Sequence, residues 1–562
     1  MERSPSHAPA PQRIASAARA GLAWLAPCLA LAAALHAGPE LVRQRYLQQG
    51  LWSLAAEIAL EALWASLPAA AAGAALAALL AFASRALARW LGSRAALGLA
   101  AASALALVAV GLSARRALPA APDSLPSILL VSVDTLRADH LGAYGYARPT
   151  SPAIDRLAAE GLLFRHAVAQ AQWTLPSMAS LHSGLYPSQH AAQRADIRLA
   201  PAVLTVAEVL RDAGYRTLAV VAHFFVGSLY GFRQGMQIFD ESQVLGHDAV
   251  TSEGVTRTAA RVVEELGEFP FFLWVHYFDP HFAYVRHPEF DFAGRTYMSH
   301  VGFSELLSEV AKLQRRGEAS PDHPYLRDLR ATYDEEIAYT DLWIGRLVEQ
   351  VRSASAGRPL VIVLTADHGE GFLDRGVQVG HARGLYEELI HVPLIFAGDI
   401  DPGLRGRQVA RTVELASIPR TLLGLAGIEE PHFPGEDLLS LAAGPRPVFS
   451  EGSFAWAASR GRRAVILDGW KLIHDLDADS RELYHLAADP DERRDLWGDP
   501  GAEAARRRLE AELEAFSDAP ASGGHRIELD AAEREMLREL GYAEEEDALS
   551  GSGPAPAGPA PD

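Results

Sequence analysis

The sequence predicts an α/β protein in which a largely parallel sheet is covered by helices, with a small α+β subdomain after it and a helical membrane domain before it. Three observations carry this. The runs Ile128-Leu129-Leu130-Val131 and Leu360-Val361-Ile362-Val363-Leu364 are too short to span a membrane and have the unbroken apolar character of strands buried on both faces. Such runs alternate with segments of helical periodicity, which implies a mainly parallel sheet with helices on both faces. Ahead of them lie three apolar segments, residues 20–38, 60–82 and 95–112, each near the 20 residues or so that cross a bilayer.

In chain order, residues 1–16 are polar and Pro-rich, with no core-forming pattern. The first apolar segment reads as a span rather than a cleaved leader, because no small-residue cleavage site follows it and two more segments do. Arg3, Arg13 and Arg19 precede it, Arg85, Arg89 and Arg94 separate the second segment from the third, and Arg43 and Arg45 fall on the opposite side. The positive-inside rule places the N-terminus in the cytoplasm and, after three crossings, everything beyond Arg116 outside it. The expected setting is a multi-pass membrane protein of the bacterial inner-membrane kind. Its catalytic part would be periplasmic or extracellular, and the lipid bilayer would be one partner.

Residues 1–116 are thus read as the membrane domain and 117–126, with three prolines, as a linker. Residues 127–444 form the catalytic domain, with helices expected at 151–161, 201–214 and 326–354, a second motif at 173–183, and further strands at 217–222, 270–277 and from 392. Residues 445–543 form the C-terminal subdomain, with strands at 464–467 and 470–474 and a helix at 503–516. Residues 544–562 are a Pro/Ala/Gly tail.

A formal net charge of -19 argues against a nucleic-acid partner, which would need basic faces to meet phosphates. The single cysteine, Cys28, rules out an intramolecular disulfide and a Cys-based zinc cluster. The chemistry lies in carboxylates at strand ends. Asp134 closes one buried strand and Asp367-His368 another. Ligands of open α/β sheets bind outside the carboxyl ends of the strands, so these residues would meet at one edge as a divalent-metal site.

VDTLRADHLGAYG, WTLPSMASLHSGLYP, TADHGE and GHARGLYEELIHVPLIF, in that order, resemble the sulfatase family of the alkaline phosphatase superfamily. GWKLIHDLDADSRELYHLAADPDERRDLW resembles the sulfatase ending, so that the resemblance runs from about residue 126 to 543. It implies an alkaline-phosphatase-like fold, an anionic ester as substrate, and a metal facing a nucleophile at a helix N-terminus. The metal positions fall on Asp134, Asp367 and His368. Thr135 stands where sulfatases have a second Asp. Calcium is the ion the resemblance implies, whereas His368 suits zinc or manganese better.

The nucleophile motif departs most. Where sulfatases have Cys or Ser followed by x-Pro-Ser-Arg, this chain has Thr174-Leu175-Pro176-Ser177-Met178. Threonine cannot become formylglycine, because that aldehyde needs an unbranched side chain, and the Arg is missing too. Pro176 suits a first helical turn and Thr174 an N-cap. A metal-bound Thr hydroxyl there resembles the nucleophile of phosphoethanolamine and phosphoglycerol transferases. His281, in a DPH motif, and His381 match positions that contact the ester, and either could protonate a leaving alkoxide. The Lys-x-His pair of sulfatases has no counterpart, with His223 only a partial substitute. His182, His190, His276 and His391 read as structural.

The expected function is therefore a membrane-anchored, sulfatase-like hydrolase of sulfuric or phosphoric esters. The alternatives are a Thr-nucleophile phosphotransferase modifying envelope lipids or glycans, an orthodox sulfatase, which the missing Cys and Arg oppose, and a catalytically inactive binding protein, which the retained metal positions oppose. The arginine pattern makes a direct prediction. A reporter active only outside the cytoplasm should be active when fused after Pro126 and silent when fused after Ser93; the reverse result would overturn the topology.

Overall fold

A computed structural model describes residues 125–244, 250–264, 269–292, 303–355, 357–375, 379–381, 384–442, 444–453, 461–516 and 524–539. The expected membrane domain, nearly all of the linker and the C-terminal tail lie outside the described residues. Among the described residues, no helix is long and apolar enough to cross a membrane.

Residues of the 127 run form β1 (Ser127–Val133), in which every side chain is buried. Following it are β2 (Leu162–Val168), β3 (Ile197–Arg198), β4 (Arg216–Val221), β5 (Ile238–Asp240), β6 (Phe271–Tyr277), β7 (Leu360–Ala366), β8 (His391–Gly398) and β9 (Arg407–Glu414). All but β3 join one sheet of eight strands in the order β5-β4-β6-β1-β7-β8-β2-β9. Burial on both faces explains why β1, β6 and β7 read as unbroken apolar runs in the sequence.

The sheet is largely parallel, as expected, but mixed, with one antiparallel strand. β8 runs against both β7 and β2, and every other neighbouring pair is parallel. A parallel neighbour needs a crossover, usually a helix. Between β7 and β8 the one described helical turn is Glu387–Ile390, so the chain folds straight back beside the strand it has just left.

The helices that position the site are α1 (Pro152–Glu160), α2 (Thr174–Ser183), α3 (Val206–Asp212), α4 (Ser252–Glu264) and α5 (Pro324–Ala354). The helix expected from residue 201 begins at 206, because Thr205 and Glu208 form a reciprocal capping box that sets the start. At α5, Pro324 occupies the first turn, where its missing N–H costs nothing. Its buried face includes Tyr333, Ile337, Ile344, Leu347 and Val351.

The C-terminal region forms a four-stranded antiparallel sheet of β10 (Val448–Gly452), β11 (Arg462–Leu467), β12 (Trp470–Asp475) and β13 (Ser480–His485). Asp468 and Gly469, with φ of 51° and 77°, make the tight turn between β11 and β12, an Asp-Gly pair suited to a two-residue hairpin loop. Helix α6 (Glu503–Ala515) covers this sheet, with Leu509 joining Val465, Leu467, Leu472 and Leu483 in a separate small core. Lys471 of β12, fully buried, reaches out of that sheet to Glu387 and Glu492 at 3.0 Å each. Glu492 also accepts from the Glu387 N–H at 2.8 Å. This knot clamps the C-terminal sheet to the segment between β7 and β8.

Gly398, where β8 meets β7, has φ +83°, and a Cβ there would lie 2.2 Å from the Leu360 carbonyl oxygen. Gly398→Ala should therefore cost on the order of 2 kcal/mol or more through left-handed strain and backbone collision. An unchanged thermal unfolding midpoint would contradict this reading of the β7–β8 junction.

Candidate active site

The site begins with strand register. Val133 pairs with Tyr277 on one side and with Ala366 on the other. The next residues, Asp134 and Asp367, therefore leave neighbouring strands at one level of the sheet. Both lie at carboxyl strand ends, where open α/β sheets place their ligands, and neither carboxylate is exposed.

Asp367 Oδ1 accepts from the backbone N–H groups of Thr135 at 3.2 Å and His368 at 2.8 Å, while its Oδ2 has no hydrogen-bond donor. Neither oxygen of Asp134 has one either. His368 Nδ1 lies 2.8 Å from the Gly369 carbonyl, to which it donates. That leaves the Nε2 lone pair toward the carboxylates, 3.4 Å from Asp367 Oδ2 and 3.8 Å from Asp134 Oδ1. The three ligand atoms lie within 4.8 Å of one another. Buried carboxylate oxygens without donors, facing an imidazole lone pair, are the arrangement a divalent ion completes.

The electrostatics agree. Burial and the adjacent charge of Asp134 push Asp367 well above the ordinary carboxylate range. Burial acts on Asp134 in the same sense, but His223, His276 and His281 outweigh it and hold the group well below that range. Burial and His381 push His368 down to about 3, keeping it neutral and able to ligate.

Thr135, in place of a second Asp, lies in the left-handed region with φ 53°, a costly conformation for a β-branched residue. Tyr333 of α5 holds this turn: its hydroxyl donates to Thr135 O at 2.7 Å and accepts from Arg137 N at 3.0 Å.

Thr174 is the first residue of α2, and Trp173 is the cap. The expectation that Thr174 itself caps the helix is thus off by one residue. The difference matters, since a capping hydroxyl would be tied to a backbone N–H. Instead Thr174 Oγ1 lies 3.3 Å from His368 Nε2. All of α2 is buried, and Ser177 anchors it by donating to the Asp367 carbonyl at 2.6 Å.

His281 and His381 come together as well, with ring centroids 5.1 Å apart and His381 4.4 Å from the His368 ring. His281 Nδ1 is 2.6 Å from Phe282 O, and His381 Nδ1 is 3.2 Å from Glu370 Oε1. Glu370 also accepts from the Tyr284 hydroxyl at 3.2 Å. All six sequence-selected residues thus gather around one sheet edge.

His276, read from the sequence as structural, projects from β6 beside Asp134, with Nε2 3.4 Å from Oδ2, and His223 Nδ1 lies 3.1 Å from the same oxygen. The available signal was position: each is a histidine at the carboxyl end of an apolar strand. His182 and His190 are structural, the first packed on Trp274 at 4.2 Å and the second beside Ser180 at 3.1 Å, and burial drives both down to about 3. His391 lies 2.8 Å from the Arg165 carbonyl, away from this cluster.

Donor-poor carboxylates at two strand ends, beside His368 and the first residue of α2, form a candidate metal site on an alkaline-phosphatase-like fold. The Sulfatase family profile matches residues 126–428, and the profile for the C-terminal part of N-sulphoglucosamine sulphohydrolase matches residues 381–519. The chain belongs to the sulfatase family, whose members are ester hydrolases. A Delta 4,5-hexuronate-2-O-sulfatase of Bacteroides thetaiotaomicron is 25% identical over 415 residues, covering 67% of this chain and 85% of that protein. The fold is shared with a phosphonate monoester hydrolase of Agrobacterium radiobacter, at a TM-score of 0.54 and 21% identity over 69% of this chain and 95% of that one. It is also shared with a protein solved with its substrate D-glucosamine-2-N,6-O-disulfate, at a TM-score of 0.58 and 18% identity over 70% and 97%.

Asp367→Ala should lose one bound divalent ion per chain relative to the wild type, because the ion cannot replace a charged ligand cheaply. The fold should persist, since the core is built without it. Unchanged metal content, measured by elemental analysis alongside circular dichroism, would remove the basis for this triad.

Proposed function

We propose that this chain is a membrane-anchored, metal-dependent hydrolase of phosphoric or sulfuric esters, acting outside the cytoplasm, with Thr174 as its nucleophile. One observation carries the reading: the Thr174 hydroxyl opens a buried helix 3.3 Å from His368 Nε2, beside carboxylates of which only Asp367 Oδ1 accepts well-aligned hydrogen bonds. A divalent ion held by Asp134, Asp367 and His368 would supply positive charge to the ester oxygens and make a neighbouring hydroxyl more acidic.

The remaining work falls to side chains and backbone. The N-terminus of α2 presents N–H groups and the positive end of its dipole to an anionic ester. Thr174 Oγ bonds to phosphorus or sulfur as the bond to the ester's alkoxide breaks. The alkoxide takes a proton from His281 or His381, the net equivalent of the one Thr174 gives up. Water then resolves the Thr174 ester, releasing the oxyanion and restoring the hydroxyl.

Threonine favours phosphorus over sulfur. A formylglycine hydrate expels its ester by collapsing to the aldehyde, a route closed to threonine, whose ester must be cleaved by an incoming acceptor. That one relative is a 2-O-sulfatase and one structural neighbour a phosphonate monoester hydrolase supports a site of this kind serving either ester type. The arginine distribution around the apolar N-terminal segments supports the membrane anchor and the outward-facing catalytic part.

Thr174→Ala should keep bound metal but lose turnover by roughly 10³-fold or more, as removal of a covalent nucleophile does elsewhere. Thr174→Ser should retain part of it. Among model substrates, phosphate esters should turn over faster than sulfate esters, and mass spectrometry of a His381→Ala variant should find phosphate on Thr174. Full activity in Thr174→Ala, or a wide preference for sulfate monoesters, would overturn the mechanism.

A further inference from the structure

Asp134 faces two groups of ligand atoms. One is the triad with Asp367 and His368. The other lies on its Oδ2 side, where His223 Nδ1 is 3.1 Å away and His276 Nε2 3.4 Å away. The ligand atoms of Asp134, His223 and His276 lie within 4.8 Å of one another, and all three residues are buried.

These atoms are close yet unsatisfied. The carboxylate of Asp134, both ring nitrogens of His223 and Nε2 of His276 make no well-aligned hydrogen bond, and their nearest polar neighbours are one another, at 3.1 and 3.4 Å. Three of these buried atoms, Asp134 Oδ2, His223 Nδ1 and His276 Nε2, converge, and a shared ion would offset the desolvation cost of burying them. Two ligands about 2.0–2.1 Å from a tetrahedral centre are about 3.3–3.4 Å apart; the 3.4 Å at His276 matches this, and the 3.1 Å at His223 lies at the upper end of hydrogen-bond reach.

The outer contacts also suit ligation. His276 Nδ1 lies 2.9 Å from Ser132 Oγ, which accepts from Trp274 Nε1 at 2.9 Å. In the tautomer that donates Nδ1–H to Ser132 the Nε2 lone pair faces Asp134, the usual way a ligating imidazole is held by its other nitrogen. The His223 ring is stacked on Phe278 at 5.0 Å between centroids, which fixes its plane.

We propose that Asp134, His223 and His276 hold a second divalent cation, so that the active site is dinuclear and Asp134 bridges the two ions, one carboxylate oxygen to each. Two imidazoles and one carboxylate select a zinc- or manganese-type ion over calcium. A pair of ions would clamp the attacking and leaving oxygens together, as two-metal sites do in phosphoryl transfer. The bridging role rests on the proposed Asp134–Asp367–His368 site; the Asp134–His223–His276 set stands without it.

The test uses the full chain in detergent, stripped with a chelator and reloaded with Mn²⁺ or Zn²⁺. Elemental analysis should find two ions per chain in the wild type, one in His276→Ala, one in Asp367→Ala and none in the double variant. The Mn²⁺-loaded wild type should show the electron paramagnetic resonance signal of a coupled pair, and each single variant that of an isolated ion. His223→Asn and His276→Gln, which keep the side chains polar, should also bind one ion. If these variants do not fold, the wild-type stoichiometry and spectrum decide alone. One uncoupled ion in the wild type overturns the proposal, as does a count that His276→Ala leaves unchanged. Loss of an ion in His276→Ala with none lost in Asp367→Ala would instead sink the first site and leave the second standing.

Discussion

Two carboxylates, Asp134 and Asp367, leave adjacent strands at the same height and are sealed from water, and much of the site follows from what that demands. Like charges buried side by side are unstable without compensating positive charge. Around this pair the chain supplies histidines from three further points of the sheet edge and a helix N-terminus, and it supplies no Arg or Lys hydrogen bond to either carboxylate among the described residues. A site with that charge pattern is built to be completed by cations and to receive an anion.

The supporting structure serves the geometry of those few atoms. Tyr333 reaches from α5 to hold Thr135 in a conformation that a β-branched residue resists. Ser177 ties the nucleophile helix to the strand that carries Asp367. Lys471, Glu387 and Glu492 join the C-terminal sheet to the segment that leads from β7 through His381 to β8. A buried ion cluster of this kind is weak evidence for stability and better understood as a device that fixes one arrangement. In this chain the segment it fixes also carries His381, whose ring lies 4.4 Å from that of His368.

Departures from the family pattern gather at the reacting centre. Thr135 stands in place of a hard Asp ligand, and under the proposed assignment histidines at 223, 276 and 368 supply softer ones. Thr174 in place of Cys or Ser closes the aldehyde route. Under the proposed mechanism these changes are mutually consistent, because an ion suited to nitrogen ligands and a simple alkoxide nucleophile can both serve phosphoryl transfer.

What the sequence determined by itself was local or carried by a motif. β1, β6 and β7 were legible because strands buried on both faces are apolar throughout. Asp134, Asp367, His368, Thr174, His281 and His381 were legible because each stands in a motif at a strand or helix end. The Asp468-Gly469 hairpin could be read the same way. The tertiary structure alone decided what depends on pairing between distant segments. β8 runs antiparallel because the segment before it has no described crossover helix, which no residue of β8 announces. Thr174 sits inside α2, with its hydroxyl free to face the site, because the helix is positioned by Ser177 and Asp367 across a separation of 190 residues. His276 looked like one more member of a core strand, since a strand's sequence does not say which neighbour its side chains will meet. Only the register of β6 against β1 puts its imidazole beside Asp134.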